Sequence, residues 1–126
     1  MVITIKKIHN DNYIEVSSPH GSFCGKYFGE NMCIDKKCDV EIDIPKVFVP
    51  DEFKISDAQS FNIVTSNEIT TIRGLVHEIY NDVMFLQFDL DLIAIEIIED
   101  VDYQSLLNQY VTLTFDTIVL YDTGVI

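Results

Sequence analysis

The sequence predicts an all-β protein, mainly a small OB-like barrel with one short helix. Three observations carry that prediction. Apolar residues recur at every second position in runs such as "VITIKKI" and "CDVEIDIP", and a period of two marks a half-buried strand. β-branched and aromatic residues dominate these runs, and turn-type residues separate them. Only "DYQSLLNQ" (residues 102–109) departs from the pattern, with an acidic start followed by Leu106 and Leu107; it predicts about two helical turns.

The elements follow in order. In "VITIKKI", Ile3 and Ile5 alternate with Thr4 and Lys6, and "YIEV" (Tyr13–Val16) follows the turn-rich "HNDN", which predicts a hairpin. From Ser17 to Lys37 the turn signals "SSPHGS" and "FGEN" predict loop, with one short strand near Tyr27. "CDVEIDIP" puts Val40, Ile42 and Ile44 on one face and Asp39, Glu41 and Asp43 on the other; this is a half-buried strand that Pro45 ends. "VPDEFKISD" predicts a loop or a single turn.

The second half holds five strand-like runs: "FNIVT", "ITTIRGLVHEIY", "VMFLQFDL", "LIAIEII" and "YVTLTFDTIVLYD". Met84, Leu86 and Phe88 share one parity, whereas Ile93, Ile95 and Ile97 hold the other. A slip of parity at "DLDL" requires a tight turn or bulge, because an uninterrupted strand would turn its apolar face outward. Gly74, inside a long strand, predicts a bend or bulge. A long bent strand, two further strands, a short helix and a final strand pair is the order expected of an OB barrel. The expectation is therefore one domain over residues 1–126, with the barrel in 61–126 and a hairpin, a cysteine-bearing loop and an acidic strand in 1–60.

Charge narrows the function. The 126 residues carry a formal net charge of −13. Residues 1–60 hold ten acids against seven lysines, and residues 61–126 hold eleven acids against the single base Arg73. Such a surface repels nucleic acid and anionic lipid and attracts cationic partners. The aromatics of an OB barrel (Tyr80, Phe85, Phe88, Phe115) stack bases only where lysine and arginine neutralise the phosphates, so no nucleic-acid partner is expected. No run approaches the roughly 20 apolar residues of a membrane span, and the N-terminus lacks a signal-peptide pattern. A soluble, cytoplasmic protein without a membrane partner is expected. The odd number of cysteines predicts reduced thiols.

Candidate chemistry is sparse. His20, Cys24, Cys33 and Cys38 are zinc-type ligands, but they lack the close C-x2-C pairs of structural zinc sites; free thiols and a loop histidine are expected there. Asp89 and Asp91 lie in "DLDL", which has neither the glycine nor the loop of a calcium site. Asp39, Glu41 and Asp43 share one exposed face and so lack the differing environments of a catalytic pair. His9, His20 and His77 lie in separate segments, and no phosphate loop, nucleophile elbow or zincin motif appears. No enzymatic activity, metal or cofactor is expected.

The acidic β-rich layout, with the texts "CDVEIDIP", "GLVHEIYNDV" and "LYDTGVI", resembles small acidic bacterial antidote proteins, including contact-dependent-inhibition immunity proteins. The resemblance implies an inhibitor that binds a cationic toxin domain or nuclease and needs no chemistry of its own. The acidic strands then supply interface charge, on Asp39, Glu41, Asp43, Asp89, Asp91 and Glu96, with Tyr80 and Phe85 as anchors. The alternative is a structural or assembly subunit of a larger bacterial or phage complex, held by apolar patches and strand edges.

Overall fold

The computed structural model describes residues 1–124. It contains twelve strands: β1 (Val2–Ile8), β2 (Tyr13–Ser18), β3 (Gly21–Phe28), β4 (Lys37–Asp43), β5 (Val47–Phe48), β6 (Lys54–Ile55), β7 (Asn62–Ser66), β8 (Ile69–Tyr80), β9 (Val83–Phe88), β10 (Asp91–Ile97), β11 (Tyr110–Phe115) and β12 (Val119–Asp122). The fold class is all-β with a small closed barrel, as the alternation predicts. The chain divides into two compact units, one of residues 1–45, 63–70 and 115–126, the other of residues 46–62 and 71–114.

The first unit holds the closed barrel, in the order β1-β2-β3-β12-β4 and back to β1. Counted along the chain this is 1-2-3-5-4, with the third and fifth strands parallel, an OB-type arrangement. The barrel is thus drawn from residues 2–43 and 119–122, not from 61–126 as expected. The predicted hairpin forms between β1 and β2, with a bulge between Ile5 and Lys7. Its core is built from alternate positions: Ile3, Ile5, Ile14, Val16, Phe23, Tyr27, Val40 and Leu120 are all buried.

The expected location failed because β3 lies in the segment predicted as loop. Its eight residues, "GSFCGKYF", carry two glycines that read as punctuation. Gly25 instead marks a close approach: a Cβ there would meet the Ile118 side chain at 2.8 Å and its carbonyl oxygen at 3.0 Å. Glycine is required by the neighbouring chain, not by a turn.

The second unit is an open sheet in the order β5-β10-β9-β8-β11-β6. The parity slip is a two-residue hairpin turn: Phe88 pairs with Asp91, and Asp89 takes a left-handed φ of 57°. Met84, Leu86, Phe88, Ile93, Ile95 and Ile97 therefore all face the core. The bulge in β8 falls between Val76 and Glu78. Gly74 sits in unbroken strand, where a Cβ would come within 2.7 Å of the Gln87 carbonyl oxygen.

The predicted helix is a single 3-10 turn, Gln104–Leu106, and no α-helix occurs among the described residues. Leu107 is already extended, at φ −59° and ψ 132°, and Asn108 has φ 64°. Eight residues cannot repay the nucleation cost of an α-helix unless packing fixes it. Here the segment packs as strand-linking loop, with Asn108 donating its N–H to Val76 and Val76 donating to Gln109. "VPDEFKISD" forms a 3-10 turn (Pro50–Glu52) between short strands, close to expectation.

Candidate functional site

Three groupings of polar side chains stand out, two in the barrel unit and one in the sheet unit.

The acidic row of β4 is present but uneven. Asp39 is engaged: the Met1 ammonium donates to its Oδ1 at 2.9 Å, and the Thr123 hydroxyl donates to its Oδ2 at 3.3 Å. The hydrogen bond from that ammonium holds the Asp39 carboxyl below its ordinary range. Glu41 and Asp43 are exposed, opposite Tyr121 and Val119 of β12. Below this row lies a clasp. Tyr27 donates to Asp122 Oδ2 at 2.7 Å, and Lys36 donates to the same oxygen at 3.1 Å and to the Glu30 carbonyl at 2.6 Å. A cavity of about 280 Å³ is lined by Glu30, Asn31, Lys36, Lys37, Cys38 and Asp122.

The electrostatics of that clasp are those of a locked network. The Gly124 N–H, then the Tyr27 hydroxyl, lower the Asp122 carboxyl. Burial, then the bond to Asp122, raises the Tyr27 hydroxyl far above its usual value. Burial pushes the Cys38 thiol up as well. A nucleophile is activated by a lowered pKa or an adjacent base; Tyr27 and Cys38 are both shifted the other way. The arrangement ties β3, β12 and the segment leading into β4 together.

The second grouping was not signalled by sequence spacing. Glu15 of β2 and Cys24 of β3 are direct register partners. Ile14, Val16, Phe23 and Gly25 face the core, so Glu15 and Cys24 share the outer face. His9 follows β1, and its N–H donates to the Tyr13 carbonyl at 2.9 Å. That bond brings its ring beside the pair, with Nε2 at 3.9 Å from Cys24 Sγ. The ligand atoms of His9, Glu15 and Cys24 all lie within 4.8 Å of one another. By contrast, His20, Cys24, Cys33 and Cys38 are not gathered. Cys24 lies on the outer face of its strand, Cys38 is buried and Cys33 is exposed on the loop after β3.

The third grouping lies on the outer face of the open sheet. Register rows run Val47–Glu96–Val83–Tyr80, Ala94–Phe85–Glu78 and Leu92–Gln87–Leu75. Tyr80, Phe85 and Glu96 therefore share this face. Asp89 and Asp91 are not with them. Asp89 sits in the turn, and Asp91 pairs with the buried Phe88 at the parity of the inward isoleucines. The expectation counted both among the interface charges of the acidic strands; the turn removes Asp89 from any strand. Glu78, Val47 and Leu92 join the face instead. The position of Glu78 depends on the bulge in β8, which nothing local in "LVHEIY" announces. Arg73, the one base of residues 61–126, donates to the Ser60 carbonyl and hydroxyl at 2.8 and 2.9 Å. No helix of the described residues is long and apolar enough to cross a membrane.

Comparison with protein-family models, curated proteins and solved structures finds no match to the chain.

Proposed function

We propose that the chain is a non-catalytic acidic module that binds and neutralises a basic protein, as an immunity protein neutralises a toxin domain or nuclease. The observation that carries this reading is the outer face of the open sheet. Glu78 and Glu96 flank Phe85 and Tyr80 there, the latter 66% exposed, beside Leu92 and Val47. Interfaces favour such a layout: aromatic and aliphatic anchors supply affinity, and the surrounding charge steers a partner of opposite sign. The exposed pair Glu41 and Asp43 adds negative charge in the barrel unit. Like the face itself, the reading gives Asp89 and Asp91 a minor part. A cytoplasmic location fits a chain that meets an incoming toxin at its target.

The test is affinity capture from the native host, eluted with a salt gradient and read by mass spectrometry. One basic protein released by salt, and bound at least about tenfold more slowly by the E78K/E96K double variant, supports the reading. Unchanged association of that variant at low salt removes this face from it. A second reading draws on exposed apolar side chains, above all Leu90, 95% exposed at the β9–β10 turn, with Leu92 and Val47. These favour an assembly subunit, whose partner would stay bound at high salt.

A further inference from the structure

We propose that His9, Glu15 and Cys24 form a zinc-binding site on the outer face of the barrel unit, with three protein ligands and one open coordination position. The argument starts from register. Directly opposed residues on adjacent antiparallel strands have Cβ atoms about 4.5–5.5 Å apart, and Glu15 and Cys24 are such a pair. The β1–β2 turn then returns the chain so that His9 bonds to the Tyr13 backbone and lays its ring against the Tyr13 ring, with centroids 5.6 Å apart. Three different ligand types, from the β1–β2 connection, β2 and β3, come within 4.8 Å of one another.

The distances suit a small tetrahedral ion. Zinc–nitrogen and zinc–sulfur bonds of about 2.0 and 2.3 Å at a tetrahedral angle put the two ligand atoms about 3.5 Å apart. The His9 Nε2 to Cys24 Sγ distance is 3.9 Å, so this pair closes around an ion with a few tenths of an ångström of movement, and the Glu15 carboxylate, within 4.8 Å of both, swings in by side-chain rotation. The donor set also selects the metal. One imidazole, one thiolate and one carboxylate suit zinc, whereas calcium and magnesium take oxygen ligands.

The surroundings hold the ligands in place. The Cys24 N–H donates to the Thr65 hydroxyl at 2.9 Å, and that hydroxyl is 2.7 Å from the hydroxyl of the buried Thr70. This fixes the strand that carries the sulfur. The Tyr13 ring lies against that of His9 and limits its rotation. On binding, the thiol gives its proton to solvent, neutral His9 donates its ring lone pair, and Glu15 supplies the negative oxygen. The fourth position is left to water or to a group of an incoming molecule.

The experiment is titration of the chelator-stripped full chain with zinc and with cobalt(II) as a spectroscopic stand-in. Expected are one metal per chain, a thiolate-to-cobalt charge-transfer band, and tetrahedral visible bands that zinc abolishes. C24S should lose the charge-transfer band, H9Q and E15Q should each weaken binding by more than about tenfold, and C33S should behave as the parent. Absence of stoichiometric uptake, or a charge-transfer band that survives in C24S, overturns the proposal. Far-UV circular dichroism checks that C24S folds. His9 is exposed outside the strands, so H9Q leaves the core untouched, and unchanged affinity in H9Q overturns the proposal independently.

Discussion

Tyr27 and Asp122 lie 95 positions apart in the chain and share a 2.7 Å hydrogen bond that joins adjacent, parallel strands of the barrel. Lys36 completes the network from the segment leading into β4. Replacing Asp122 by Asn keeps the shape and removes the charge opposite Lys36. The expected loss is about 2 kcal/mol of stability, measured by chemical denaturation; a change too small to resolve would show that the clasp is dispensable.

The same carboxyl sets an acid limit. Its folded-state pKa lies below the ordinary value of 3.8. Folding therefore gains from its ionised form at neutral pH, and that gain disappears as pH falls through the depressed value. Stability of the parent should decline from about pH 4 downward, and D122N should decline less steeply over that window. Parallel acid-denaturation curves for the two would refute the assignment.

The turn between β7 and β8 runs through Asn67 and Glu68, at φ 52° and 66°. Two left-handed residues in a two-residue hairpin turn favour Asn-Gly, and a glutamate in the second place is strained. E68G should raise stability by about 1 kcal/mol, seen as a higher melting temperature. A lower one would mean that the glutamate side chain makes contacts worth more than its backbone strain.

Gly74 offers the opposite case. An added methyl would lie 2.7 Å from the Gln87 carbonyl oxygen and 2.8 Å from Leu86 Cγ, so β8 and β9 must part to admit it. G74A should cost about 2 kcal/mol, despite alanine's lower backbone entropy cost. Near-parent stability in urea would show that the two strands yield more easily than their packing implies.

For partner binding, the informative charge reversals are those that spare the fold. Asp39 is bonded to Met1 and Thr123, so its reversal confuses binding with unfolding. Glu41 and Asp43 carry no such burden among the described contacts, and neither do Glu78 and Glu96. E41K/D43K and E78K/E96K should each slow association at low salt, with a difference that fades as salt screens it. Association rates across a salt series separate the two pairs, and the pair whose reversal leaves them unchanged lies outside the interface.

Much of this was legible locally. Ile3, Ile5 and Ile14 declare a buried face by period alone, and the parity change between Phe88 and Ile93 confines a turn or bulge to "DLDL". What was not legible depends on neighbours remote in sequence. Gly25 reads as loop until Ile118 is known to lie against it, and that misreading hid β3 and with it the barrel. Glu78 reaches the outer face only through a bulge, and Cys24 meets His9 and Glu15 only through the β1–β2–β3 register. Strand propensity describes one chain segment; partner choice is decided across the whole of it.

The barrel's last staple, Val119–Asp122, enters between β3 and β4, and of the five barrel strands it is the last to emerge from the ribosome. Until then the nascent chain displays two strands with unsatisfied backbone edges, and no amount of local order among the first 43 residues can seal them. Closing that unit requires a pairing across more than seventy intervening residues, the kind of long-range contact that slows folding. A polypeptide cut off shortly before Val119 would be a template for pairing with its own copies.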